Sequence, residues 1–422
     1  MAVNLFDAKT YASLYPDLGA AGLTTPQQLE NHFRTTGIVE GRLPSAFVSP
    51  TYYGRSYADL GRAGLTNNVQ LFSHLENFGA NEGRRSSVAF NPYFYGAVNT
   101  DLRSAGLTNE QLYQHFNVIG LSEGRASSEF FNAPFYLATY SDLKAAFGND
   151  YKAALLHFVN FGVREGRVGS PAVSPSIDPS NVSSSAYDLG TLIAKGTFVD
   201  YVGGIFPTRD NNDYYGFRLD NTTNLNLQLS GFSAFVDFQL SADTNENGQF
   251  DPGEEIATNT FLTAPLTINK TLGAGYYHIN ISTPVGGTLY TLAMSPSAIP
   301  STNTTDPGNN QANAVKLDIT GSPTVTDFVG STDRIDFYSF ALGSNNTLNL
   351  SLNGTTDPAF ALLYRDTNNN SQLDSTEILG IANSANNSMG TLTQNLDAGT
   401  YFVQVFTNTT TANTSYNMNL AV

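Results

Sequence analysis

The amino-acid sequence predicts a multidomain α plus β protein, in which an N-terminal all-α helical repeat array precedes two all-β sandwich domains of a jelly-roll-like kind. Three observations predict this fold class. A unit of 41 or 42 residues recurs four times, alternating strand patterns then replace the helix signals, and the β-rich part is itself duplicated. The predicted segments are four two-helix repeats within 1–167 (about 6–42, 47–84, 89–125 and 130–167), a Pro/Ser-rich linker at 168–186, a first sandwich at 187–295, a second linker at 296–312 and a second sandwich at 313–422.

Composition narrows the classes of protein that the chain can belong to. Its 422 residues include 20 Lys and Arg against 36 Asp and Glu, and the net charge of −16 argues against nucleic acid or an anionic membrane as partner. The absence of cysteine excludes disulfides, thiolate zinc sites and cysteine nucleophiles. No run approaches the ~18 apolar residues of a membrane span. Since the N-terminus lacks the pattern of a cleaved signal, we expect a cytoplasmic chain or one exported with its N-terminus intact.

The caps of each repeat predict two short helices. The first helix begins after a good N-cap residue, with an apolar residue before it and a tyrosine at the fourth helical position, which together form a hydrophobic staple. The second helix begins at another N-cap and ends at a glycine that we expect in the left-handed C′ conformation. The first caps are Asp7, Ser49, Asn91 and Asn132, the second caps are Thr25, Asn67, Thr108 and Asp150, and the glycines are Gly37, Gly79, Gly120 and Gly162.

One histidine and a closing Glu-Gly-Arg recur in every repeat. The histidines are His32, His74, His115 and His157, and the closing arginines are Arg42, Arg84, Arg125 and Arg167. Four metal or proton sites are one interpretation of the histidines. Half-buried imidazoles that hydrogen-bond within or between repeats are the other, which we favour because one histidine per repeat supplies one metal ligand per repeat. The Glu-x-Arg pair is expected to act as a structural clamp.

The two β-rich segments match each other motif by motif. Asp213-Tyr-Tyr-Gly-Phe217 corresponds to Asp336-Phe-Tyr-Ser-Phe340, and Leu225-Asn-Leu-Gln-Leu229 corresponds to Leu348-Asn-Leu-Ser-Leu352. Later in each copy, Leu272-Gly-Ala-Gly-Tyr-Tyr277 corresponds to Leu396-Asp-Ala-Gly-Thr-Tyr401. Many short strands within about 110 residues are typical of a β-sandwich.

These strand motifs resemble those of the bacterial pre-peptidase C-terminal (PPC) domain over about 187–295 and 313–422. The resemblance implies a small β-sandwich, often calcium-bound, that is appended to secreted peptidases and other exoproteins. The N-terminal units resemble tandem Tyr-x-Asp-Leu, His-Phe and Glu-Gly-Arg repeats of bacterial secreted and surface proteins, for which no activity is implied.

Between the matched strands, each β segment carries a candidate calcium loop. The first fits D-x-[DN]-x-[DN]-G-x5-E at every position, and such a loop supplies hard oxygen ligands from positions 1, 3, 5, 7, 9 and 12. The predicted ligands of the first loop are Asp243, Asn245, Asn247, the carbonyl of Gln249, Asp251 and Glu254. Those of the second are Asp366, Asn368, Asn370, Gln372, Asp374 and Glu377. The second loop departs from the pattern at Ser371, and Glu255 remains an alternative to Glu254 in the first.

The sequence predicts no enzyme. It contains no HExxH, GxSxG or phosphate-binding loop in a strand–helix setting, and the repeats, linkers and sandwiches account for nearly all residues. We therefore expect a secreted, non-enzymatic calcium-binding protein of a surface layer, filament or matrix, with Ca²⁺ as cofactor and with itself or other cell-surface components as partners. The alternative is an accessory protein that holds a polypeptide or glycan for an exoenzyme, on aromatic faces such as Tyr214/Tyr215 and Phe337/Tyr338.

The expected location is extracellular or at the cell surface. Weak calcium loops suit an exterior rich in calcium better than a cytosol kept poor in it. The short alternating apolar stretch 416–422 resembles the uncleaved C-terminal ends of proteins exported in one step by bacterial type I systems, which would agree with an intact N-terminus.

Overall fold

The computed structural model describes residues 3–175, 177–203, 210–261, 264–284, 286–298, 307–331, 333–368, 374, 376–385, 388–409 and 412–422. Across these ranges the chain forms twelve short α-helices followed by eighteen β-strands, which confirms the predicted α plus β class. The helices are α1 Ala8–Leu14, α2 Pro16–Ala20, α3 Pro26–His32, α4 Pro50–Ser56, α5 Ala58–Arg62, α6 Asn68–His74, α7 Pro92–Val98, α8 Thr100–Ser104, α9 Asn109–His115, α10 Ala133–Thr139, α11 Ser141–Phe147 and α12 Tyr151–His157. Within the described residues, no helix is long and apolar enough to cross a membrane.

Each unit contains three α-helices, so the expectation of two is wrong. The first predicted helix is broken at one residue with a non-helical backbone, which is Tyr15 in the first unit. The Tyr15 hydroxyl oxygen accepts a hydrogen bond from the Leu43 N–H at 2.7 Å, at the start of the next unit, and Pro16 disfavours a helical Tyr15. Equivalent bonds join Arg85 to Tyr57 and Val168 to Tyr140, whereas Asn99 occupies the break in the third unit. The break therefore lets the side chain at this position bond to the backbone of the segment that follows its unit.

The predicted caps are confirmed, but the predicted glycine conformation is wrong. All eight N-cap side chains accept hydrogen bonds from backbone N–H groups. The third helix of each unit continues into a π-helical turn that ends at the predicted glycine, namely Phe33–Gly37, Leu75–Gly79, Phe116–Gly120 and Phe158–Gly162. Left-handed glycines occur instead in Glu-Gly-Arg, such as Gly41 with φ 77°, and after the second helix of each unit, such as Gly22 with φ 80°. At Gly37 a Cβ would lie 2.0 Å from the Tyr11 hydroxyl, so a close approach requires this glycine.

The repeated histidines hydrogen-bond within their own units, as the packing interpretation predicts. His32 Nδ1 lies 3.0 Å from the Tyr11 hydroxyl, and all four imidazoles are half-buried. The other pairs are His74 with Tyr53 at 2.8 Å, His115 with Tyr95 at 2.7 Å and His157 with Tyr136 at 3.0 Å. Each staple tyrosine therefore supplies a hydrogen bond to a histidine as well as a buried ring.

The predicted arginine clamp is also confirmed. Arg42 contacts Glu40 at 2.6 Å and Asp17 at 2.8 Å, and its guanidinium lies 4.8 Å from the centre of the Tyr15 ring. The same two carboxylate contacts recur at Arg84, Arg125 and Arg167. Because Asp17 belongs to the second helix of the unit and Glu40 to its end, the arginine fixes these two parts against each other.

The helical units pack against the first sandwich through a shared hydrophobic core. Its cluster of contacting side chains runs from Val3 to Met294, whereas the second sandwich has a separate core. At the junction, the buried Arg85 guanidinium donates two hydrogen bonds to the Glu129 carboxylate at 2.8 and 3.0 Å and two to the Asp188 carbonyl. An ion pair of 2.9 Å between Lys152 and Asp7 joins the fourth unit to the first.

The two sandwiches have the same strand order. The first consists of β1 Tyr187–Thr191, β2 Gly196–Gly203, β3 Asn212–Leu219, β4 Thr223–Ser230, β5 Val236–Asp243, β6 Glu255–Phe261, β7 Leu266–Leu272, β8 Gly275–Ser282 and β9 Gly287–Ala298. The second consists of β10 Val315–Lys316, β11 Thr324–Val329, β12 Ile335–Leu342, β13 Asn346–Asn353, β14 Ala359–Tyr364, β15 Ile378–Ser384, β16 Gly390–Leu396, β17 Gly399–Phe406 and β18 Thr414–Ala421. The first pair of sheets has the orders β1-β3-β8-β5-β6 and β2-β9-β4-β7, and adding nine to every label gives the second pair.

The aromatic residues that were candidates for a binding face belong largely to the cores. Tyr215 and Tyr338 are fully buried, and their hydroxyls bond to Tyr290 at 2.7 Å and Tyr416 at 2.6 Å. Alternation along β3 and β12 directs these rings inward, between the two sheets of each sandwich. The exposed binding face proposed for these pairs is therefore wrong at Tyr215 and Tyr338.

Candidate metal centres

The first predicted calcium loop, residues 243–254, connects β5 to β6. The Asp243 carboxylate accepts hydrogen bonds from the Asn247 N–H at 3.0 Å and from the Gly248 N–H at 2.8 Å. Gly248 has φ 75°, the left-handed conformation that favours glycine at the sharp turn of such a loop. The backbone thus adopts the turn that the motif predicts, with its first carboxylate inside the turn.

The opposite side of this loop is held together by side-chain amides. Asn245 Nδ2 and Asn247 Nδ2 donate to Asp251 Oδ2 at 2.9 and 2.7 Å, and Asn247 Oδ1 accepts from the Gln249 N–H at 2.7 Å. The predicted ligands therefore lie in one closed loop. A cation here would have to replace the two amide N–H groups at Asp251, so that the amide oxygens face the metal.

The structure distinguishes Glu254 from Glu255. Glu254 is 7% exposed, and its carboxylate points back into the loop, where Oε1 accepts from the Thr244 N–H at 2.8 Å and Oε2 from the Asp251 N–H at 3.0 Å. Glu255 is the first residue of β6 and is exposed. Only Glu254 is thus placed to serve as the twelfth residue of the loop.

The described residues of the second loop make contacts that match those of the first loop. Glu377 Oε1 accepts from the Thr367 N–H at 2.7 Å, as Glu254 does from Thr244, and Asn368 Nδ2 donates to Asp374 Oδ2 at 2.7 Å. Gln311 Nε2 donates to Asp366 Oδ2 at 2.9 Å. The predicted ligands Asn370 and Gln372, together with Ser371, lie outside the described residues.

A third group of carboxylates, which the sequence analysis missed, lies in the first sandwich. Ligand oxygens of Asp178, Asp210 and Asp213 all lie within 4.8 Å of one another. Asp178 is exposed, Asp210 is half-buried and Asp213 is fully buried. Asp213 Oδ2 accepts from the Tyr290 hydroxyl at 2.6 Å, while its Oδ1 has no hydrogen-bond partner among the described residues. We call these three residues the acidic triad.

The surroundings of the acidic triad disfavour three separate negative charges. Burial, reinforced by the neighbouring carboxylates, raises the pKa of Asp213 to about 8 and that of Asp210 to about 6. Burial also raises the pKa of Asp178. Asn181 closes one side, since its Nδ2 donates to Asp210 Oδ1 at 3.1 Å. Asp213 is buried with one oxygen unsatisfied by the described residues, and no described Lys or Arg pairs with the triad, an arrangement that is suited to a divalent cation.

The triad could not be found from spacing alone. Asp178 lies in the linker, Asp210 follows a segment outside the described residues, and Asp213 is on β3. The bridge between Ser180 and Tyr214 brings the linker beside β3, and this pairing is what places Asp178 near Asp213. The one signal in the sequence is the Asp that begins the two matched strand motifs, Asp213 and Asp336.

The comparison with protein families identifies part of the chain. The family model of the bacterial pre-peptidase C-terminal domain matches residues 334–407, which lie within the second sandwich. This match confirms the predicted resemblance to the PPC domain. The shared strand order then relates the first sandwich to the second, while the resemblance proposed for the helical units stays a prediction.

Two solved structures are similar to limited parts of the chain. The pre-peptidase C-terminal domain of collagenase from Bacillus anthracis has 14% identity and a TM-score of 0.21, over 25% of this chain and 92% of its own. The Yersinia pseudotuberculosis-derived mitogen has 15% identity and a TM-score of 0.18, over 26% of this chain and 92% of its own. Both TM-scores are low. None of the curated proteins compared with the sequence matches it.

Proposed function

We propose that the chain is a non-enzymatic, extracellular calcium-binding protein with a structural or adhesive role. The observation that supports this most strongly is the acidic triad with its buried Asp213 oxygen, which has no hydrogen-bond partner among the described residues. Its donors are carboxylate oxygens, the ligand type that calcium prefers and that softer metals do not select. PPC domains occur in secreted bacterial proteins, which agrees with an extracellular location.

The two loops are proposed as additional, weaker calcium sites. Each predicted loop offers three carboxylates together with neutral amide and carbonyl oxygens, and in the first loop the carboxylates are already satisfied by N–H donors. A cation must compete with these hydrogen bonds, which weakens binding. Among the described residues no N–H donor competes at Asp213 Oδ1, so above about pH 8, where this carboxylate is ionised, we expect the triad to fill first in a titration.

Calorimetric titration of the metal-free protein with calcium tests this proposal. Wild-type protein is expected to bind calcium and to melt at a higher temperature in its presence, because the cation binds only the folded state. Asp210→Asn should remove the tightest site, whereas Asp397→Asn, an exposed aspartate outside all three sites, should leave it intact. Absence of calcium-dependent heat and of a melting shift in the wild type would refute calcium binding.

The second candidate is an accessory protein associated with an exoenzyme. The match of residues 334–407 to a domain named for its place in peptidases favours this role. Negative-stain microscopy with calcium and with chelator distinguishes the two. Ordered polymers that form only with calcium support the structural role, while monomers under both conditions support the accessory role.

A further inference from the structure

A cleft of about 240 Å³ separates the second helical unit from the first sandwich. Its floor is the outer face of the five-stranded sheet, at Gly216, Tyr276 and His278. The β1 residue Asp188 and the α5 residue Arg62 contribute to its walls. The cleft is distinct from the acidic triad, none of whose residues line it.

One residue of this floor, His278, and two of its neighbours in the sheet have buried polar atoms without hydrogen-bond partners in the described part of the chain. His278 is 2% exposed, and its Nδ1 has no hydrogen-bond partner in the described part of the chain. Ser241 lies opposite His278 in the register of β5 and β8, and its Oγ is likewise unpartnered, as is Asn280 Oδ1 two residues along β8. Burial lowers the pKa of His278, so the imidazole is neutral near pH 7 and has one acceptor nitrogen. Buried polar groups of this kind normally have a partner.

The second sandwich shows that the fold does not require these polar residues. The position of His278 is taken there by Phe402, and that of Ser241 by Tyr364, whose rings stack with centroids 5.3 Å apart. A pair of aromatic residues therefore occupies the equivalent positions in the second sandwich, which has the same strand order. The polar floor is specific to the first sandwich, where the helical units form a cleft above it.

The charges that face the cleft are mainly negative. Two of its carboxylates are neutralised, since Asp59 pairs with Arg84 at 2.8 Å and Glu246 with Arg62 at 3.4 Å. Asp188 and Asp243 also line it. The Gly190 N–H donates to Asp188 Oδ1 at 2.7 Å, and Gly248 and Asn247 donate to Asp243. The Arg85 guanidinium is bound to Glu129 and to the Asp188 carbonyl, and its charge opposes the rise in the pKa of the Asp188 carboxyl that burial causes.

We propose that this cleft binds the cationic side chain of a lysine or arginine from a polypeptide partner, with Asp188 pairing the charge and the His278 imidazole forming part of the floor beneath it. The Tyr276 ring provides an aromatic wall for the side chain. An organic cation fits better than a metal, because the acidic triad is the only three-ligand cluster of acidic or histidine side chains in the described residues. This site goes beyond the calcium sites and supplies the accessory role with a class of partner.

Binding of Nα-acetyl-lysine methylamide and its arginine analogue to the full chain tests the proposal. In calcium buffer, millimolar binding should shift the imidazole ¹⁵N resonances of His278. The neutral norleucine analogue should not bind. Asp188→Asn should weaken binding roughly tenfold, as expected for the loss of a charge-assisted hydrogen bond. Asp243 belongs both to this cleft and to the first predicted calcium loop, whereas Asp188 and His278 are not predicted calcium ligands, so the effects of substituting these two residues can hold or fail separately from the calcium titration.

Two further variants keep the test decisive. His278→Phe installs the residue of the second sandwich, which the same strand order already accommodates, and it should abolish binding. Phe402→His is the matched control, because it makes the reverse change away from the cleft and should leave binding unchanged. Equal binding of the norleucine analogue, no binding of either cationic amide, or full binding by folded Asp188→Asn would overturn the proposal.

Discussion

The substitution Asp213→Asn separates the charge of the acidic triad from its shape. Asp213 is fully buried, accepts a hydrogen bond from Tyr290 at 2.6 Å and leaves Oδ1 without a partner among the described residues. Asparagine has nearly the same volume, can still accept from Tyr290, and can direct its N–H groups toward Asp178 and Asp210. The variant therefore removes the unfavourable charge and the strongest expected calcium ligand together.

The sign and size of the effect follow from the pKa of Asp213. Its value of about 8 in the folded protein compares with about 3.9 for an unfolded chain. The folded state therefore binds more protons between these pH values, and the stability of the metal-free protein falls as the pH rises from about 4 to about 8. At about 1.4 kcal/mol per pKa unit the upper limit is about 6 kcal/mol, and we expect about 2–3 kcal/mol because Asp210 shares the titration.

Urea unfolding followed by circular dichroism measures this difference. In chelator at pH 8, Asp213→Asn should be more stable than the wild type by about 2–3 kcal/mol, and the advantage should shrink toward pH 5. In saturating calcium the order should reverse, because only the wild type keeps its full ligand set. A variant that is no more stable than wild type in chelator at pH 8, or one that keeps the whole calcium effect, would refute this reasoning.

Three further changes test the helical part. Arg85→Met should destabilise the junction by about 3–5 kcal/mol in urea unfolding because it leaves Glu129 buried and unpaired, and adding Glu129→Gln should recover much of this loss. His115→Gln should cost about 1 kcal/mol without changing the metal content found by mass spectrometry, and stoichiometric zinc lost on this change would contradict a packing role. Gly120→Ala should cost at least about 2 kcal/mol because its Cβ would lie 1.9 Å from the Tyr95 hydroxyl, and an equal loss in a Tyr95→Phe background would contradict this cause.

In the helical part, sequence reasoning succeeds where the signal is local. N-caps depend on one side chain and the next few N–H groups, and all eight predicted caps form. The break at Tyr15 has one local signal, Pro16, which disfavours a helical residue before it, but the bond from the Leu43 N–H to the Tyr15 hydroxyl joins residues 28 apart and is not predicted by the helix itself. The role of Gly37 likewise depends on a tyrosine hydroxyl 26 residues earlier in the chain. A glycine at a helix end therefore has two explanations that sequence alone does not separate.

The candidate sites likewise divide into those that a local sequence motif predicts and those that depend on distant residues. A calcium loop is contiguous, so its turn at Gly248 and its inward Asp243 follow from the motif. The acidic triad joins a linker residue to two residues near β3, and it exists only because the linker pairs with that strand. His278 Nδ1 has no hydrogen-bond partner among the described residues, and this too depends on how the helical units pack over the sheet. Sites assembled by tertiary contacts carry no fixed spacing for a motif to recognise.

The duplicated sandwich separates what the fold requires from what its surroundings require. Both copies keep a buried chain of two tyrosines and an aspartate, in which Tyr290 donates to Asp213 and Tyr416 donates to Asp336. Their outer sheet faces differ, since the second carries an apolar cluster of its own that includes Tyr364. The first shares its core with the helical units and has a polar floor under the cleft that they form. Because the strand order is the same, this difference must serve contacts outside the sandwich, and those contacts are where the function of the first copy is to be sought.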